Sequence, residues 1–148
     1  VGYSVAALER LKKAAAKLKK NGRPLADDPY FAARLARVEI ELENMKTTNL
    51  RVIAAVAGGG VPGAESSMLK IRGTEIRQEI SSLMRRAMGP YAQPFVAEAL
   101  EEGFDGPPVG PAEAASAAVQ YFNNRKLSIF GGSNEIQRNI ISKMMLGL

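Results

Sequence analysis

The chain has 148 residues, 46% of them hydrophobic and 24% charged, a length for one domain with its own core and an ordinary globular balance. It holds no cysteine and no histidine. That excludes a disulfide framework, a thiolate zinc site and any Ser-His-Asp or Cys-His mechanism within the chain, and no metal site is expected.

A net charge of +5 raises the question of nucleic acid. Lys12, Lys13, Lys17, Lys19 and Lys20 are the obvious cluster, but they interleave with Leu11, Ala14, Ala15, Ala16 and Leu18 and bring no aromatic side chain. The solvated side of one amphipathic helix is the preferred reading over base stacking. No apolar run approaches the roughly 20 residues needed to span a bilayer. Val1-Gly-Tyr-Ser4 shows neither an initiator methionine nor a signal-peptide layout. The expectation is a fragment of a longer cytoplasmic protein that binds neither nucleic acid nor membrane.

In chain order, Val5, Leu8, Leu11, Ala15 and Leu18 mark one face of a first helix that stops at Asn21-Gly22. Asp27-Asp28-Pro29 supplies an N-cap followed by proline at the first helical position. Phe31, Leu35, Val38, Leu42, Met45, Asn49, Val52 and Val56 then step by four and three, a heptad seam that predicts burial along its whole length. Asn49 either fixes register or sits as a buried amide satisfied within the bundle, the plainer and preferred reading.

Gly58-Gly-Gly-Val-Pro-Gly63 breaks the chain, and a third helix is expected over 64–88 with Leu69, Ile76, Ile80, Leu83 and Ala87 on one face. Gly73 lies inside it, where glycine costs about 1 kcal/mol relative to alanine; close approach of a neighbouring helix is the expected compensation. Gly89-Pro90 opens a loose stretch to Pro111, with a short helix over 95–100. A fourth helix rich in alanine and serine follows over 111–127. No strand is expected.

The last segment is the most informative. Gly131 and Gly132 allow positive φ or close approach, Ser133 or Asn134 can cap the next helix, and Gly147 can stop it. Ile136, Ile140, Ile141 and Met144 share one face of that helix. Its start is a ready cradle for phosphate. The expected fold is all-α: an up-and-down four-helix bundle with an additional short C-terminal helix.

Phe130-Gly-Gly-Ser-Asn-Glu-Ile-Gln-Arg138, followed by a hydrophobic tail ending in Leu146-Gly-Leu148, resembles the C-terminal signature of the acyl-CoA dehydrogenases. Ala26-Asp-Asp-Pro29 before Val38-Glu-Ile-Glu-Leu42, and Gly-Gly-Val-Pro-Gly63 before Ser67-Met-Leu-Lys-Ile71, are similar in style to bacterial members. The resemblance implies that residues 1–148 are the C-terminal helical domain, with an N-terminal helical and a middle β domain outside the chain. It implies a parent oxidoreductase of fatty-acid type that removes hydrogens from the α and β carbons of an acyl-CoA thioester. Hydride goes to FAD and electrons onward to an electron-transfer flavoprotein. Paired bundles, as a homodimer or homotetramer, would each lend glycine-rich segments to the partner's flavin nucleotide; this chain alone would be inactive.

On the matched positions, Gly132, Ser133 and Glu135 are the implied flavin-nucleotide contacts, with helix capping the competing role for Ser133 and Glu135. Gln137 and Arg138 belong to the signature. Three departures stand out. Gly131 occupies the place where many members carry the catalytic glutamate, and glycine cannot take a proton. Leu8-Glu9-Arg10-Leu11 is similar to the run that carries the base in other members, but the spacing to the next helix is short. Glu9 is therefore read as an ordinary exposed carboxylate, and the base as lying before Val1. The family's Gln-x-x-Gly-Gly turn has only Arg85-Arg-Ala-Met-Gly-Pro90 as counterpart, with Arg85 and Arg86 read as solvated. Two other readings follow: a non-catalytic structural or partner subunit, and a basic helical interaction module.

Overall fold

The computed structural model describes residues 1–107 and 109–147; Leu148, the last residue of the expected tail, lies outside the described residues. Among the described residues there are five α-helices: α1 (Gly2–Lys17), α2 (Pro29–Ala57), α3 (Glu65–Met88), α4 (Ala114–Asn123) and α5 (Asn134–Leu146). The all-α expectation holds. The helix α3 is the central element, packing against each of the other four. It can do so because its buried positions, among them Ile71, Ile76, Ile80 and Leu83, recur around more than one face.

The main core joins Leu8, Leu11 and Ala15 of α1, Phe31, Val38, Leu42 and Met45 of α2, and Ile76, Ile80 and Leu83 of α3. A second cluster gathers Ala14, Met88, Ala92, Ala114 and Ala117. The small side chains of α4 let it lie close to α3, as its alanine content suggested.

Local signals explain most boundaries. Asp28 caps α2, its Oδ1 accepting from the Phe31 N–H at 3.0 Å, with Pro29 in the first turn. Gly73 faces α2, where an added Cβ would stand 3.4 Å from the Met45 sulfur.

Several expectations are corrected. The first helix ends at Lys17, and Lys19–Lys20 pairs antiparallel with Arg23–Pro24 as a two-residue ribbon turning at Asn21 and Gly22, both with positive φ. Two residues per strand carry no alternation to read. In place of a helix over 95–100 there is a single 3₁₀ turn, Glu98–Leu100, and Phe95 is exposed. The fourth helix is shorter than expected and continues as a 3₁₀ segment, Asn124–Ser128.

The heptad seam is buried only as far as Met45; Val52 is half-buried, and Leu50, Ile53 and Val56 are exposed. The last turns of α2 run beyond the bundle. Asn49, at that exit, is half-buried on the wall of a cleft of about 370 Å³ shared with Tyr3, Thr74 and Arg77, and not sealed within the core. No helix among the described residues is long and apolar enough to cross a membrane.

Candidate functional site: the glycine turn and the start of α5

Gly131 and Gly132 adopt φ of +67° and +83°, so the chain reverses at a point where L side chains are strained. Ser133 follows in extended conformation as the N-cap of α5, its Oγ accepting from the Ile136 N–H at 3.3 Å. The choice left open between Ser133 and Asn134 falls to Ser133. Gln137 folds back across the turn, its Nε2 donating to the Gly131 carbonyl at 3.0 Å. A Cβ on Gly132 would meet that nitrogen at 2.6 Å.

Glu135 points into solvent beside this cap. Its own backbone N–H and the Ser133 hydroxyl hold its carboxyl below the ordinary value, and the positive charges of Arg138 and Lys70 act in the same direction. Arg138 in turn bridges Glu135, at 3.7 Å, and Glu75 of α3, at 3.8 Å. Gly131, Gly132, Ser133 and Glu135 are thus brought together at one exposed helix start. Ser133 does cap α5, and Glu135 places a negative charge in its first turn, the roles that compete with ligand contact.

The residues present fit the phosphate and ribose end of a dinucleotide. The turn has no Cβ to keep a phosphate off the backbone, the first N–H groups of α5 lack intrahelical partners, and a hydroxyl and a carboxylate stand beside them. Gly131 is exposed with open space around it and offers no proton acceptor. Glu9 is exposed and 3.6 Å from Lys12, an ordinary helix pair as expected.

Arg85 departs from expectation. It is half-buried with its guanidinium 4.7 Å from the Tyr121 ring centre, and its Nε is buried without a partner; Arg86 is exposed. The basic cluster is also partly neutralised: Lys12 donates to Glu39 at 2.7 Å and Lys20 to Asp28 at 2.6 Å.

Two features were missed from sequence. One is the ion-pair strip between α2 and α3, in which Arg72 meets Glu41 at 3.2 Å and Glu75 at 2.7 Å, and Arg34 Nε meets Glu79 at 3.0 Å. The other is a polar row on α3, Lys70, Thr74 and Gln78, that reaches across to the segment before α5 and to its first residue, Asn134. Its spacing of four is visible in the sequence.

The expected apolar face of α5 is only partly covered, with Ile141 half-buried. Ile136, Ile140 and Met144 are 53%, 37% and 57% exposed, while Asn134 is buried against α3.

The chain is an all-helical bundle whose terminal helix is led by a glycine turn and capped by Ser133. The family model for the acyl-CoA dehydrogenase C-terminal domain matches residues 1–146, and the chain belongs to that family. Acyl-CoA dehydrogenase FadE26 of Mycobacterium tuberculosis is 30% identical over 131 residues, covering 86% of this chain and 30% of the relative.

Among solved structures, the ChsE4-ChsE5 complex of Mycobacterium tuberculosis aligns with a TM-score of 0.72 and 27% identity, over 98% of this chain and 34% of that one. Butyryl-CoA dehydrogenase of Megasphaera elsdenii shares the fold, with a TM-score of 0.73 at 15% identity over 98% of this chain and 33% of that one. The chain therefore spans about a third of the length of its relatives.

Proposed function

We propose that the chain is the C-terminal domain of a flavin-dependent acyl-CoA dehydrogenase whose other domains lie outside residues 1–148. In this reading Gly132, Ser133 and Glu135 hold part of the FAD nucleotide, and the bundle pairs with a second subunit. The observation that carries it is the exposed Gly131–Gly132 turn leading into a Ser133-capped helix, within a chain of this family.

FAD, when bound, supplies hydride acceptance in the α,β-dehydrogenation of an acyl-CoA thioester. The chain's own part is to present backbone N–H groups and the Ser133 hydroxyl to phosphate, and the Glu135 carboxylate to a ribose hydroxyl. The exposed apolar side chains of α5 and of the end of α2 support subunit pairing. In this reading the α-proton goes to a carboxylate outside this chain, because by the family resemblance Gly131 takes that group's place and Glu9 is an ordinary exposed helix carboxylate. An electron-transfer flavoprotein is the acceptor this reading calls for.

Gly131 also favours a second reading, in which the chain belongs to a non-catalytic partner subunit that contributes structure or half of a flavin site. One experiment separates the two. The full-length polypeptide carrying this chain is purified alone, its flavin spectrum recorded, and acyl-CoA thioesters added. Flavin bleaching by the homomeric protein supports the enzyme. Bound flavin without bleaching supports the partner subunit, and a colourless, unreactive protein sinks the leading reading.

A further inference from the structure

We propose that Lys70, Thr74 and Gln78 form a polar ladder along α3 that fixes the glycine turn in place, making them positioning residues for the nucleotide site. The inference rests on the reading of residues 132–135 given above. The three side chains are spaced by four, so they form one row on α3. Each rung ends on a different part of the segment that leads to α5.

Gln78 Nε2 donates to the Asn124 carbonyl at 3.1 Å and to Ser128 Oγ at 2.8 Å. The Thr74 hydroxyl is shared between the Lys70 carbonyl within α3, at 2.9 Å, and the Leu127 carbonyl, at 3.3 Å, and Lys70 Nζ donates to Asn134 Oδ1 at 3.0 Å. Arg125 answers from the other side, donating to the Gln78 carbonyl at 3.2 Å. The rungs therefore bracket the turn, on 124–128 before it and on the first residue of α5 after it.

Apolar burial does not do this work. Ile129 and Phe130 are 67% and 59% exposed, and Gly131 and Gly132 are exposed. Within 129–132 no buried side chain anchors the backbone. Thr74 and Asn134, by contrast, are buried, where a lost partner leaves a polar group without water to replace it. Gln137 closes the turn on itself; the α3 ladder ties it to the bundle, with the Arg138–Glu75 pair at 3.8 Å as a further link from α5 to α3.

The test compares the wild type with Lys70→Met/Thr74→Val/Gln78→Leu, both as the 148-residue chain and within the full-length polypeptide. Amide exchange is read at Ile129, Phe130, Ile136 and Gln137, whose N–H groups are hydrogen-bonded in and around the turn. These amides should exchange about tenfold faster in the variant while core amides of α1 and α2 keep their rates.

FAD affinity of the full-length protein should weaken by about tenfold, equivalent to about 1.4 kcal/mol. If the triple variant fails to fold, Thr74→Val serves alone, with Thr74→Ser expected to restore wild-type exchange. Turn exchange that stays unchanged, or rises only in step with the whole bundle, overturns the ladder whatever the flavin does. A wild-type protein that binds no FAD, with accelerated turn exchange in the variant, removes the nucleotide reading and leaves the ladder standing.

Discussion

Gly131 and Gly132 both take positive φ, yet the structure predicts unequal sensitivity to alanine. At Gly131 an added Cβ meets nothing within 4 Å, so the cost is the left-handed backbone alone, about 1 kcal/mol. At Gly132 the same backbone cost applies, and the Cβ also strikes Gln137 Nε2 at 2.6 Å. The side chain must swing away and give up its 3.0 Å bond to the Gly131 carbonyl, a further loss of about 1 kcal/mol. Gly132→Ala should therefore destabilise α5 by about 2 kcal/mol and Gly131→Ala by about half that.

Gln137→Ala removes the bond at the outset, so Gly132→Ala in that background should cost only the backbone share. The double variant should then lose about 1 kcal/mol less than the sum of the two single losses. Urea titration of the four proteins, followed by exchange at the Gln137 amide, measures the cycle. Equal costs at the two glycines, or strict additivity of Gly132→Ala with Gln137→Ala, would refute the strap geometry.

Further outcomes follow from the same structure. Leu83 is fully buried between three helices, so Leu83→Ala should cost about 2–5 kcal/mol in thermal or chemical unfolding. Ile136→Ser/Ile140→Ser/Met144→Ser should leave stability nearly unchanged but weaken self-association in sedimentation velocity, because those side chains are exposed.

The Asp28 carboxyl is held below its ordinary value of 3.8, first by the Lys20 ammonium and then by the Phe31 N–H. A depressed folded-state value gives stability that is complete above about pH 4 and lost as pH falls through the lower value. Asp28→Asn should flatten the acid limb of the stability curve, and Lys20→Met should reduce the same slope.

The parts of the fold legible in the sequence were those set by local chemistry. Asp28-Pro29 before an apolar stripe, Ser133 after two glycines, and Gly147 at the helix end each satisfy backbone groups that any helix leaves open. Periodicity was less informative about what an apolar face touches. The stripes on α2 and α5 are apolar, but Val56, Ile140 and Met144 are exposed, since spacing marks an apolar face without saying what covers it.

The two-residue ribbon at Lys19–Lys20 escaped because register of that length leaves no pattern. A motif singles out Gly132, Ser133 and Glu135 as candidate contacts, while nothing in the sequence singles out Lys70, Thr74 and Gln78. Their partners are backbone carbonyls and an amide some 46 to 64 residues away, a pairing only the fold creates.

The central claim is that the turn and the first residues of α5 hold a flavin nucleotide. Calorimetric titration of FAD into the flavin-stripped full-length polypeptide tests it directly, with Gly132→Ala and Ser133→Ala/Glu135→Gln as variants. The account predicts saturable binding by the wild type and weakening by about tenfold or more in each variant, with the bundle still folded. FAD binding that is absent in the wild type, or undiminished in folded variants, would contradict it.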